Sequence, residues 1–180
     1  NMNEIEKEEL IAKLAEGGFY LEYEDDTAKA DKDIVMSALK DMGEALEFAS
    51  DALKADKEVV MAAIQQSGYS LQFADDALKA DKDIVMAAVQ QSGSSLKFAD
   101  DKLKSDKDIV MAAMEEDGWS FEHASDALKS DKEIVMELVQ QNGFAFEFAD
   151  DSLKSDKGFM LNVLQINGRL LKEANDALKE

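Results

Sequence analysis

The chain repeats itself every 25 residues, and no other property limits its fold so tightly. The segment DKEVVMAAIQQSGYSLQFADDALKA, Asp56 to Ala80, returns as DKDIVMAAVQQSGSSLKFADDKLKS, Asp81 to Ser105, and the offset runs on in both directions without an insertion. Units begin at Glu6, Asp31, Asp56, Asp81, Asp106, Asp131 and Asp156, so seven fill residues 6–180 behind a lead-in of residues 1–5. Self-similarity at such a period marks a solenoid, because one short unit cannot bury its apolar face alone and stacked copies can.

Each unit reads as a helix, a glycine break and a shorter helix or 3₁₀ turn. In the fourth unit Asp81 or the residue before it is the expected N-cap, and Asp83 adds negative charge at the positive end of the helix dipole. Ser105 and Ser130 open Ser-Asp-Lys-Asp and Ser-Asp-Lys-Glu, a capping-box spacing. The recurring glycine (Gly18, Gly43, Gly68, Gly93, Gly118, Gly143, Gly168) is expected to stop the helix by taking a positive φ. The second stretch, Ser95 to Leu103, has Asp100 in its middle, and that predicts a break there. Ile84 to Val89 is apolar on every face and needs neighbours on several sides, with Ala87 and Ala88 allowing close approach. The row Met36, Met61, Met86, Met111 and Met136 is read as core filler. The expected fold class is all-α: a right-handed α-solenoid of seven 25-residue repeats forming a single domain, roughly 70 Å long at about 10 Å per unit. The first and last units carry polar changes at inner-unit apolar positions (Glu9, Lys13 and Glu24; Glu173), with Ala28 in place of a leucine and Arg169 opening the last unit's second helix. They are expected to act as caps of a complete array.

The pattern D-K-[DE]-[IV]-V-M-x-A, then Gly, then L-x-F-A-[DS]-D-x-L-K resembles the short helical repeat known as domain of unknown function 4116, over residues 6–180. That family is found in bacteria, large viruses and protists as tandem arrays, sometimes within larger proteins or secreted effectors. The resemblance implies a helical repeat and brings neither a catalytic motif nor an activity.

Composition removes several functional classes. With no cysteine and one histidine, His123, thiolate zinc sites, disulfides and multi-histidine metal sites are excluded. A net charge of −20 argues against direct nucleic-acid binding, which requires cations to displace counterions. No apolar run approaches the ~20 residues of a membrane span. Acidic pairs such as Asp75-Asp76 do not follow a calcium loop, and capping explains them. His123 falls in a row of Tyr23, Phe48, Phe73, Phe98 and Phe148, which predicts a buried, hydrogen-bonded imidazole. No cofactor and no metal ion are expected, and the chain does not read as an enzyme.

One position varies while the rest repeats. The residue after the glycine reads Phe19, Glu44, Tyr69, Ser94, Trp119, Phe144 and Arg169. This series predicts a ladder of side chains along one edge, spaced by about 10 Å. Burial of the rings at a permissive turn is the competing explanation. The fifth unit departs most from its siblings, with Glu115, Glu116, Asp117, Trp119 and His123. The charge excess lies in residues 6–30 and 106–155. Tyr69, Trp119 and Phe144 are therefore the candidate anchors, and Glu115, Glu116 and Glu122 the acidic guides, of a scaffold that binds a basic protein or peptide. A spacer module without its own binding activity and an acidic nucleic-acid mimic are the alternatives. A cytoplasmic monomer is expected, and the presence of the resembled family in some effectors leaves secretion by a signal-less route open.

Overall fold

The computed structural model describes residues 2–166 and Gly168, which form an all-α repeat solenoid with no strand among the described residues. Each of the first six units contributes a long helix, a six-residue 3₁₀ segment and a one-turn helix. In the fourth unit these are Lys82–Gln91, Gly93–Phe98 and Asp101–Lys104. Long helices pack on long helices and 3₁₀ segments on 3₁₀ segments, giving two parallel stacks with the core between them. The expected break falls at Ala99-Asp100, where the Asp100 carboxylate accepts from the N–H of Lys102 at 2.9 Å. The 3₁₀ geometry precedes this break and starts at the glycine.

The N-cap of each inner long helix is aspartate, and except at Asp131, where Lys107 of the preceding unit pairs with Glu137 instead, that aspartate does two things. Oδ1 of Asp81 accepts from the N–H groups of Asp83 (2.9 Å) and Ile84 (3.2 Å). Its Oδ2 takes the Lys57 ammonium of the preceding unit at 2.8 Å. The same division recurs at Asp31 with Lys7, Asp56 with Lys32, and Asp106 with Lys82. A serine could cap but could not also hold the lysine, which accounts for the recurring Asp-Lys. The proposed capping boxes at Ser105 and Ser130 do not form. Both residues end the preceding short helix, and their hydroxyls donate backward to the carbonyls of Asp101 and Asp126. A capping box is present at Asn3 and Glu6, so the first helix begins at Glu4 inside the expected lead-in.

The Lys–Asp ladder makes stability pH-dependent with a defined sign. The Lys57 hydrogen bond, aided by the N–H groups of Ile84 and Asp83, outweighs partial burial and holds the Asp81 carboxyl below its ordinary 3.8. Asp81 in turn raises the Lys57 ammonium above 10.5. A depressed carboxyl contributes stability above its unfolded pKa and loses it as pH falls through the folded value. A raised ammonium contributes below its unfolded pKa and loses it as pH rises through the folded value. The stability difference between the protein and Lys57→Met is therefore expected to be flat across neutral pH. It should shrink below about pH 4 and above about 10.5, and diminish in high salt. Urea titrations at stepped pH check this, and a difference unchanged at pH 2.5 would count against it.

A second ladder is made of backbone. The N–H of Asp75 donates to the Lys54 carbonyl of the preceding unit at 2.9 Å, and Asp100 to Lys79, Ser125 to Lys104 and Asp150 to Lys129 repeat the bond at 2.9 Å. Each one-turn helix is thereby tied end-on to the next.

The recurring glycine does not act through φ: no glycine among the described residues has a positive φ. Its role is close approach. A Cβ on Gly43, Gly68 or Gly93 would lie 2.3, 2.5 or 2.2 Å from the carbonyl oxygen of Ala63, Ala88 or Ala113 in the next unit. The glycine lets one unit's 3₁₀ segment sit against the next unit's long helix. Beside this contact lie the buried hydroxyls of Ser70, Ser95 and Ser120, which have no hydrogen-bond partner. Ala45 and Ala145 fill the equivalent place in other units. Ser95→Ala is expected to be neutral or to stabilise by up to about 1 kcal/mol, since it removes an unsatisfied buried group without opening a large cavity. Thermal unfolding checks this, and a loss above 1 kcal/mol would mean the hydroxyl has a partner.

The long helices are not buried all round. Ile84, Val85, Ala88 and Val89 are fully buried, while Met86 and Ala87 are half-buried. The methionine row is thus not core filler but a row packed over the core and open to solvent on one side. The small residues Ser37, Ala62, Ala87 and Ala112 keep these neighbouring helices close, so their methionines cannot all turn inward. In the first unit Glu9 and Lys13 are exposed where Ile34 and Ala38 are buried, and Lys13 pairs with Glu24 at 3.4 Å. Arg169 and Glu173 lie outside the described residues. No described helix is long and apolar enough to cross a membrane.

Candidate functional site

The variable edge lies at the start of the 3₁₀ stack, and its side chains are not isolated rungs. The Trp119 and Phe144 rings stack at 5.3 Å between centroids, tilted by 27°, and Phe148 meets the Trp119 ring edge-on at 5.4 Å. Expected spacing of about 10 Å is corrected here: rings from consecutive units lean together because an apolar pair hides more surface than two separate rings. Trp119 and Phe144 stay 49% and 52% exposed, so the pair forms an open plate rather than a core contact.

Local backbone chemistry fixes this plate. The Asp117 carboxylate accepts from the Trp119 N–H at 3.0 Å, and the Asn142 side-chain oxygen accepts from the Phe144 N–H at 3.0 Å. In the third and fourth units Ser67 and Ser92 stand at this place and make no such cap. The plate is thus built where the chain carries Asp or Asn before the glycine. In a 3₁₀ helix residues three apart eclipse one another, so Glu122 shares the face of Trp119, and Glu147 that of Phe144. Both glutamates are exposed.

Tyr69 has a different environment. Its hydroxyl lies 2.8 Å from Ser94 Oγ, and its ring takes the Lys97 ammonium at 5.7 Å with Phe98 edge-on at 6.4 Å. Hydrogen bonds with Ser92 and Ser94 lower the phenol below its ordinary pKa against some desolvation. Tyr69 is 37% exposed and already carries a cation from its own chain. Among the described residues no lysine lies over the Trp119–Phe144 pair.

Three segments, residues 31–79, 81–129 and 131–179, match the family described as Domain of unknown function (DUF4116). The chain belongs to that family. Comparison with the curated proteins and with the solved structures gives no match. Each DUF4116 match spans two of the 25-residue units, which fits the structure, since the carbonyl–glycine contact and the Lys–Asp pair are both made between units.

The six candidate residues of this DUF4116 chain separate. Trp119, Phe144 and Glu122 share the edge, whereas Tyr69 lies on the same stack two units away. Glu116 turns toward a cleft between long helices with Gln65, Gln90 and Gln91, and Glu115 is exposed on that helix. Phe148 and Glu147 belong to the site and were not singled out from sequence; the 3₁₀ period of three would have pointed to Glu147. His123 is half-buried and not the buried imidazole expected. Burial, against the opposing pull of Glu122 and with help from Lys97, Lys104 and Lys129, lowers it below its ordinary 6.5, so it is neutral at pH 7. Phe48, Phe73, Phe98 and Phe148 are half-buried in the same way because they pack over the core from outside, whereas Tyr23 in the first unit is exposed. Among the described residues no group of three His, Asp or Glu side chains is placed to hold a metal ion.

Proposed function

We propose that this DUF4116 chain is a non-enzymatic scaffold whose 3₁₀ edge binds a basic protein or peptide, with a partner's Lys or Arg seated on the Trp119–Phe144 plate. The observation that carries this reading is the plate itself: two stacked, half-exposed rings held by Asx caps, with Glu122 and Glu147 on the same face. Lys97 over Tyr69 is an internal example of the contact that a partner's cation would make. A cation over an exposed ring contributes about 0.5–1 kcal/mol, and the flanking carboxylates add a salt-sensitive share. Uneven charge supports the same place, because residues 106–155 hold a large part of the acidic excess.

Trp119 is the chain's one tryptophan, so its fluorescence reports on the site directly. Titration with a short Arg-rich peptide is expected to shift or quench the emission, with the effect fading as salt is added. Phe144→Ala should weaken binding by about tenfold or less, the range of one lost aromatic contact. Emission unchanged at millimolar peptide would remove the edge from consideration.

A further inference from the structure

The long-helix stack presents a second surface, independent of the aromatic edge. Met36, Met61, Met86, Met111 and Met136 hold the same position in consecutive units and are half-buried, so they form an apolar row across the helices. Side chains three and four apart share a helix face, which puts exposed Asp83 one turn before Met86 and exposed Gln90 one turn after it; neighbouring units repeat the arrangement. The row is therefore the floor of a groove with an acidic rail on one side and a mainly amide rail on the other. Open clefts follow it: one of about 510 Å³ between Met36, Glu58, Met61 and Gln65, and one of about 560 Å³ beside Met136, Glu133 and Phe159.

Solvent-facing positions of a helix are ordinarily polar, yet here five consecutive units place a thioether there. Methionine is unbranched and polarisable, and suits surfaces that accommodate apolar side chains of differing shape. The acidic rail is only half neutralised from within. At four interfaces one lysine faces two carboxylates: Lys7 with Asp31 and Asp33, Lys32 with Asp56 and Glu58, Lys57 with Asp81 and Asp83, Lys82 with Asp106 and Asp108. Each interface keeps one surplus negative charge, which disfavours a second copy of this chain as the occupant.

We infer that the methionine groove is a docking site for a basic amphipathic α-helix lying across the long helices. Spacing selects the helix. Packed helices stand about 8–10 Å apart. In an α-helix residues i and i+7 lie about 10.5 Å apart on one face. A β-strand covers the same distance in three residues and then points to the opposite side. Apolar side chains of such a helix would meet successive methionines, and its Lys or Arg residues would meet the acidic rail.

The test uses the intact chain and a synthetic 21-residue peptide with leucine at heptad a and d positions and lysine elsewhere. Calorimetry should show binding that weakens with salt. Met86→Gln with Met111→Gln, which keeps length and charge, should weaken it at least about tenfold, while Ser95→Ala, buried away from the groove, leaves it unchanged. In the unsubstituted protein, methyl NMR should show the Met61, Met86 and Met111 signals moving on peptide addition. That measurement decides the matter even if the double variant is misfolded. The assignment is overturned by absence of binding, by methionine methyls that do not move, or by equal affinity for the same peptide with a central proline. It can fail with the aromatic edge intact, because the edge is read at Trp119 and the groove at the methionines.

Discussion

Gly93→Ala should destabilise the protein by about 2–3 kcal/mol, a large loss for one added methyl group. The methyl would lie 2.2 Å from the Ala113 carbonyl oxygen and 2.6 Å from Ser120 Oγ, the first being backbone of the next unit's helix and unable to swing away. Only separation of the fourth and fifth units relieves the contact. Since a solenoid's stability is close to a sum of unit and nearest-neighbour interface terms, loosening one interface should also broaden or split the urea transition. Gly93→Asn distinguishes the physical causes. If glycine served a left-handed cap, asparagine would be tolerated; because it serves close approach, asparagine should cost more than alanine. Gly158→Ala is the control: nothing lies closer than Asp156 Oδ1 at 3.4 Å, and the residue is in a long helix. That change should stabilise by about 0.5–1 kcal/mol. Chemical denaturation monitored by helical circular dichroism measures all three, and Gly93→Ala within 0.5 kcal/mol of the parent would refute the close-approach account.

Phe121→Ala should cost about 3–5 kcal/mol. Phe121 is 0% exposed and occupies the place that Leu46, Leu71 and Leu96 fill in earlier units and Phe146 in the next. It joins the two stacks, so its removal leaves a cavity that the 3₁₀ segment cannot close without breaking its contacts to both neighbours. Phe121→Leu restores the side chain of the inner repeats and should cost only about 1 kcal/mol. Hydrogen exchange should place the loss in the fifth unit and its two neighbours, with the second unit protected as before. Equal loosening along the whole chain would instead mean that the array unfolds as one cooperative block.

Much of this molecule was readable in its sequence because its information is periodic. Seven Asp/Glu-Lys pairs and seven glycines at fixed offsets set the unit, and Asp100 and its equivalents marked the break. The apolar run Ile84–Val89 required stacking. Within a single unit a positive φ and core filling are the economical explanations for the glycine and the methionine row, and a capping box for Ser105 and Ser130. The serines bond back to their own short helix instead. The environments of the glycine and the methionines are set between units. The glycine answers to a carbonyl in the next unit, the aspartate to a lysine in the one before, and the methionines to a face that small residues keep too tight to enter.

The candidate site follows the same division. Sequence alone determined that one position varies, that aromatics recur there and that acidity is concentrated in residues 106–155. Tertiary structure decided which of those aromatics are available. Tyr69 is engaged by Ser94 and Lys97, while Trp119 and Phe144 stack into an open plate with Glu122 and Glu147 on its face. A periodic sequence states which side chains share a position, since covalent spacing is encoded directly. Whether two of them touch depends on the closeness of neighbouring units, and that distance is set by packing against the glycine.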